Sequence, residues 1–225
     1  MCSPSEHLFR LRSYLYTHLS SKLHLPILDV GAADGKTACY FNEHFPKSDI
    51  IAYEPIPAMF EIACKNTGGK PKITVRNLAL SDKKGTQQIH VTSNYLSSSL
   101  NELNASAIQE QAESMQDKMK VLQTLTIQTS TLDEETSNLK ELLFIKLDTQ
   151  GTELSILKHG LQTLRKTHVV LVEMNNHRLY TNGCQYYEVD ALLREAGFKL
   201  EDMIVTYRPK GQMEEYDALY RNTSL

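Results

Sequence analysis

Short apolar runs that stop at a glycine or an acid, separated by stretches with helical spacing, set the pattern of this chain. Pro26 precedes Ile27-Leu28-Asp29-Val30, which stops at Gly31. Ile50 to Glu54, Lys72 to Val75, Leu143 to Leu147 and Val169 to Val172 repeat the form. Runs this short and apolar read as parallel strands buried on both faces. Helices are expected between them. One runs from Gly35 to about Phe45, stopped by Pro46, and another from Pro55 and Pro57 to about Lys65, closed by Gly68-Gly69. A third follows the stripe Leu154, Leu157, Leu161 and Leu164, and a fourth follows Val189, Leu192, Leu193 and Ala196, closed by Gly197. This alternation implies an α/β fold: a doubly wound, mostly parallel sheet with helices on both faces.

Three segments stand outside the rhythm. Leu8, Leu11, Leu15 and Leu19 give an amphipathic N-terminal helix, so residues 1–24 read as a helical extension. From about 81 to 130 the pattern is a turn at Asp82-Lys83-Lys84-Gly85, a strand over Gln87 to Thr92, a polar helix over 101–118 and a strand over Val121 to Gln128. Residues 93–120 are expected to be an insertion near the substrate site, a common place for substrate contacts or a lid. Phe198 to Tyr207 and Tyr216 to Arg221 close the chain as a hairpin. The 225 residues suit one domain spanning 1–225.

A net charge of −3 opposes a broad basic grip on nucleic acid, and no nucleic-acid partner is expected. No apolar run reaches the roughly 18 residues that span a bilayer, so no membrane partner is expected either. The first residues, MCSPSEHLFRLRSYLYTHLS, lack the apolar core of a signal peptide. Cys2, Cys39, Cys64 and Cys184 lie far apart with no C-x-x-C pair. Free thiols in a reducing cytoplasm are the expectation.

Ligands of such sheets sit at the carboxyl ends of the strands. The first strand ends Asp29-Val30-Gly31-Ala32-Ala33-Asp34-Gly35, a D-x-G-x-x-x-G loop. Dinucleotide sites use G-x-G-x-x-G, whose glycines cradle a pyrophosphate. That spacing is absent here, and Asp29 and Asp34 would repel the anion. Gly31 and Gly35 let backbone approach a ligand without a Cβ in the way. Acids suit the sulfonium and ammonium groups of S-adenosylmethionine, whose carboxylate can use the N–H groups at the helix start. Glu54, ending the second strand, is placed to accept hydrogen bonds from ribose hydroxyls. Together these point to a Rossmann-like methyltransferase.

The blocks ILDVGAADG, IIAYEP, NLALSDKKGT, TSTLD, FIKLDTQGTELSILKHG and VVLVE, in this order over residues 26–200, resemble the FkbM family of S-adenosylmethionine-dependent methyltransferases. The most distinctive block is Ile145-Lys146-Leu147-Asp148-Thr149-Gln150-Gly151-Thr152-Glu153. The resemblance implies S-adenosyl-L-methionine as cofactor and O-methylation of a hydroxyl on a sugar or secondary metabolite. By position it implies cofactor contacts at Asp29, Gly31, Ala32, Gly35, Glu54 and Pro55, with Ala79 and Leu80, in the stretch Asn77 to Ser81, beside the adenine.

Methyl transfer needs acceptor, methyl and sulfur in line, and an alcohol must also lose its proton. Asp148 ends the fourth core strand and is the first candidate base. Glu173 ends the next strand as its neighbour, and His177, on the following loop, is the alternative base. Lys146 shares a strand face with Asp148 and is placed to steer or anchor it. Glu153 suits a structural role at a helix start. Asp148, Glu173 and Asn175 are oxygen donors that could also hold Mg²⁺ or Ca²⁺, but their spacing is not diagnostic, and no metal is assigned. The expected partner is a small-molecule or glycan hydroxyl, with a homodimer as the one assembly considered. A non-catalytic module that keeps the fold fits less of the pattern, and a nicotinamide-dependent oxidoreductase fits least, because the loop spacing opposes it.

Overall fold

The structure, a computed structural model, describes residues 6–109, 117, 119–176, 178–207 and 213–225. The apolar runs become β1 (Ile27–Val30), β2 (Ile50–Tyr53) and β3 (Ile73–Arg76) in the first half. In the second half they become β7 (Leu142–Leu147) and β8 (Thr167–Asn175), followed by β9 (Phe198–Tyr207) and β10 (Glu215–Asn222). These strands form one sheet in the order β3-β2-β1-β7-β8-β10-β9. Pairing is parallel from β3 through β8, whereas β10 runs antiparallel to both neighbours. The closing hairpin therefore folds back: its second strand, not its first, pairs with β8. The strand order reverses between β1 and β7, which opens a crevice at their carboxyl ends.

Helices cover both faces. On one face α1 (Glu6–His18) sets Leu8, Leu11 and Leu15 against Phe41 of α2 (Lys36–His44) and against Ile27, Phe144, Val169 and Leu219 of the sheet. On the other, Ile156, Leu157, Leu164, Val189 and Leu193 pack on Leu28, Ile145, Val170 and Ala218. The third helix, α3 (Pro57–Thr67), starts with proline at its first position, where no N–H is needed.

The segment after β3 makes a second small sheet. Strands β4 (Ala79–Leu80), β5 (Gly85–Thr92) and β6 (Val121–Ser130) are ordered β4-β6-β5. Ile89, Val91 and Ile127 pack on Ile56, Met59 and Ala79, so this sheet is clamped beside the carboxyl end of β2. Of the polar helix expected over 101–118, the structure shows α4 (Ala105–Gln109), while residues 110–116 and 118 lie outside the described residues. Residues 101–104 are not helical. Leu103 bridges Tyr180, and the Asn104 side chain accepts the Ala107 N–H while donating to the Arg178 carbonyl, so the helix starts only after Asn104.

The leucine stripe expected as one helix is two: α6 (Glu153–Lys158) and α7 (Leu161–Leu164). The break falls at Gly160, where an added Cβ would lie 2.5 Å from Leu132 Cδ2. Leu132 belongs to α5 (Leu132–Glu135), a turn of helix the sequence reading did not include. Its neighbour Asp133 accepts the Gln162 and Thr163 N–H groups and so caps α7 separately. The signal for α5 was present as Thr131-Leu132-Asp133-Glu134: the Thr131 hydroxyl accepts the Glu134 N–H. The last helix, α8 (Tyr186–Glu195), begins on a reciprocal cap between Gln185 and Glu188.

Candidate active site

A cleft of about 600 Å³ opens at the reversal point. One wall is the loop after β1. Gly31 sits at φ +83°, and a Cβ there would lie 1.9 Å from the Asp148 carbonyl oxygen. Only glycine allows the ends of β1 and β7 to close this tightly. Ala33, at φ +48°, is held in a left-handed conformation by donating its N–H to Glu54 Oε2 at 2.9 Å. Gly31 and Ala32 both donate to the Tyr53 carbonyl. The loop is thus fastened to the end of β2.

Glu54 does more than expected for a ribose acceptor. Its other oxygen accepts the Ile56 N–H at 2.8 Å, so it staples two loops at once. Asn77 donates to the carbonyls of Glu54 and Pro55 and fixes the same corner. Burial pushes the Glu54 carboxyl up to about 7 against those two backbone hydrogen bonds. Each oxygen keeps a free lone pair, and Glu54 still lines the cleft with Gly31, Ala32, Pro55, Ala79 and Leu80. Gly35 does not line it. It lies at φ +77° against Ala63 and Thr67, where it joins the loop to α3 and heads α2.

Asp29 also departs from expectation. Its side chain points from β1 into the sheet face under α1, fully buried, and is not part of the cleft wall. Neither carboxyl oxygen has a hydrogen-bond partner among the described residues. Burial lifts it to about 6, opposed by the nearby Lys146 ammonium. The reason is register. Asp29 pairs with Lys146 across β1 and β7, one row below Gly31 and Asp148, so its neighbours are the floor of the site.

Beside the Gly31 loop, at the carboxyl ends of β7 and β8, a charged row tops the same face. Lys146, 4 % exposed, donates to Asp148 Oδ2 at 2.9 Å. The Gln150 amide nitrogen donates to Asp148 Oδ1 at 3.2 Å and to Glu173 Oε2 at 2.6 Å. Gln150 Oε1 accepts from the Tyr180 hydroxyl at 3.0 Å. Burial opposes charge on Asp148, but the Lys146 ammonium and its hydrogen bond, then that of Gln150, hold it below the ordinary carboxylate range. Burial and the Asp148 charge push Glu173 well above its ordinary value. The two shifts run in opposite directions, favouring the charge on Asp148 and the proton on Glu173, as where paired acids divide acid and base work. The sequence reading missed Glu215, which accepts from Thr206 at 2.9 Å, and Asp217, which pairs with His7 of α1 at 3.0 Å. Their alternation at the start of β10 was the available signal. His177 lies outside the described residues.

Glu153 is structural. Its carboxyl, 1 % exposed, accepts from the Thr149 N–H and hydroxyl and from the Gly151 N–H, and so shapes the turn that presents Gln150. Among the described residues no group of three or more His, Cys, Asp or Glu is arranged to hold a metal ion. The Gln150 amide occupies the position between Asp148 and Glu173.

A neutral Glu173 in the folded state predicts a pH-dependent cost. The unfolded chain ionises it near the ordinary glutamate value, while the folded chain keeps its proton to higher pH. Stability on this account is full below the unfolded value and falls as pH rises toward the folded one. Glu173→Gln, already neutral, is expected to be more stable than the parent at pH 8, with the gain vanishing by pH 4, in urea denaturation at both pH values.

The sheet order, the glycine loop without pyrophosphate spacing and the acid stapling the end of β2 define a Rossmann-like methyltransferase with S-adenosylmethionine as methyl donor. The FkbM methyltransferase domain matches residues 29–200, and the chain belongs to that family. It is 28 % identical over 202 residues to the 2-O-methyltransferase NoeI of Sinorhizobium fredii (strain NBRC 101917 / NGR234), covering 88 % of this chain and 80 % of that one. Among solved structures the fold is similar to magnesium protoporphyrin IX methyltransferase of Synechocystis PCC 6803 (TM-score 0.55, 8 % identity, 97 % of this chain and 79 % of that one). It is also similar to precorrin-6y C5,15-methyltransferase of Geobacter metallireducens GS-15 (TM-score 0.51, 11 % identity, 94 % and 87 %).

The cleft suits the cofactor. The Gly31–Ala33 backbone lines the cleft bare of large side chains, and Glu54 lines the same space. Gly31, Ala32 and Asp34 would hold the amino-acid end, Glu54 the ribose, and Ala79 and Leu80 the adenine.

Proposed function

We propose that this chain methylates a hydroxyl on a small-molecule or glycan acceptor, with Asp148 as the group that takes the hydroxyl proton. The observation that carries this reading is the Lys146–Asp148 pair lining the cleft on the strand next to the Gly31 loop. The 2-O-methyltransferase relative supports a hydroxyl as acceptor. S-adenosylmethionine, when bound, supplies a methyl carbon already activated by its sulfonium. The protein's part is then alignment and proton handling. The Gly31 loop and Glu54 hold the donor side. Tyr95, Leu96 and Ser97 to Leu100 line the cleft, which supports a water-excluding role for this part of the inserted segment. Asp148, paired with Lys146, would take the proton of the acceptor hydroxyl.

Among the described residues no helix is long and apolar enough to cross a membrane. Cys39, Cys64 and Cys184 are free thiols, which agrees with a reducing compartment.

The test is calorimetric titration with S-adenosylhomocysteine, then transfer of labelled methyl from S-adenosylmethionine to neutral sugars, phenols and amines. Binding followed by hydroxyl labelling is expected. Labelling of amines alone, or binding of NAD in place of S-adenosylhomocysteine, overturns the reading. Gly31→Ala is expected to lose S-adenosylhomocysteine binding at least tenfold, because its Cβ forces β1 and β7 apart where the donor sits.

A further inference from the structure

The turn at Gln150 is built with unusual care for a residue that is neither acid nor base. Its backbone is left-handed, at φ +58°, and its carbonyl accepts the Ser99 hydroxyl at 2.7 Å. Glu153 grips the N–H groups on either side of it. Its side chain uses every polar atom: the amide nitrogen donates to Asp148 Oδ1 and Glu173 Oε2, and the amide oxygen accepts from Tyr180. That pattern sets which way the amide faces, because the flipped amide would aim its oxygen at the charged Asp148 carboxylate. The single hydroxyl proton of Tyr180, a residue 3 % exposed, is shared between the Gln150 amide oxygen and the Ser97 carbonyl at 2.9 Å, which ties the amide to the inserted segment.

We propose that Gln150 is a positioning residue: by donating one amide N–H to each of Asp148 and Glu173, it keeps the two carboxyls from sharing a proton and leaves Asp148 as the acceptor. An amide nitrogen is a suitable spacer. Two carboxyls in direct contact hold one proton between them, as paired acids do, and neither is then a dedicated base. With the nitrogen interposed, each bonds to N–H instead. Lys146 adds its charge on the Asp148 side only. The other groups around Asp148 are Asp29 on β1, Glu215 and Asp217 on β10, and His7 on α1. Apart from His7 they are acids, which disfavour its charge, so the two donors, Lys146 and Gln150, have to outweigh them.

This inference rests on Asp148 being the proton acceptor, but its test needs no acceptor substrate. Carboxyl carbons of Asp and Glu are labelled with ¹³C and titrated by NMR in the full chain, with Asp148 and Glu173 assigned from the signals missing in Asp148→Asn and Glu173→Gln. Gln150→Met keeps the length and removes the donor. Because it loses a hydrogen bond to a charged group, the Asp148 midpoint is expected to rise by roughly one to two pH units. Tyr180→Phe keeps the ring and removes the hydroxyl that holds the amide oxygen and touches Ser97, so a smaller rise in the same direction is expected. An Asp148 midpoint that moves in neither variant overturns the proposal. Should Gln150→Met fail to fold, Tyr180→Phe decides alone. A fully active Asp148→Asn would defeat the base reading separately, whatever the titration gives.

Discussion

Replacing Lys146 by Met is expected to cost about 3–5 kcal/mol of stability at pH 7, the usual penalty for stripping a buried ion pair of one partner. Lys146 is 4 % exposed and lies among Asp29, Asp148 and Asp217, with Asp148 at hydrogen-bond distance. Burial disfavours its charge, and the three acids more than restore it. Met fills much the same volume, so the loss is electrostatic rather than a cavity. In the variant, Asp148 and Asp29 face each other with no cation between, and both must shed charge or move. The pH dependence gives the signature. In the parent chain Asp148 is held low, so its contribution is present at neutral pH and fades as pH falls through its folded value. In Lys146→Met the acids have raised values, so folding there takes up protons. The deficit between the two proteins should therefore shrink from pH 7 toward pH 5. Urea denaturation at several pH values reads it directly. A deficit under about 1 kcal/mol, or one independent of pH, would show that Lys146 is not the counter-ion of this floor.

Much of this architecture is local and therefore legible in the chain. Buried parallel strands announce themselves as short apolar runs, and a glycine after the first of them marks where backbone must pass close to a neighbour. That neighbour turned out to be the Asp148 carbonyl, so Gly31 and Asp148, far apart in sequence, define one contact. What stayed hidden depends on pairing. β10 lies between β8 and β9, a fact no period-2 pattern contains, and it carries Glu215 and Asp217 to the site. Register also decides that Asp29 is floor rather than wall. The two oxygens of Glu54 are engaged by Ala33 and Ile56, which only the folded loops reveal. The leucine stripe over α6 and α7 misled for a related reason: periodicity records which side chains are buried, and it continues across a break that a close approach by Leu132 imposes.

Asp148→Asn is expected to lower turnover by about 10²–10⁴-fold, the usual range for loss of a general base, while S-adenosylhomocysteine binds within a few-fold of normal. The two halves of this expectation follow from different atoms. The Gly31 loop packs on the backbone carbonyl of residue 148, which the substitution keeps, so the donor cradle is preserved. The side chain loses the charge that Lys146 and Gln150 both serve. An Asn there can still accept one of those hydrogen bonds, but its amide N–H₂ opposes the other donor and cannot take a proton from an alcohol. Labelled methyl transfer to whichever hydroxyl acceptor the screen yields measures the first half, and calorimetry with S-adenosylhomocysteine measures the second. Loss of both would mean that Asp148 shapes the donor site instead of acting on the acceptor. Full activity would move the base elsewhere on the cleft, with Glu173 the next carboxyl in reach of the same amide. Because Asp148 is held below the ordinary carboxylate range, turnover of the parent enzyme should stay level as pH falls from 8 to 6 on account of this group.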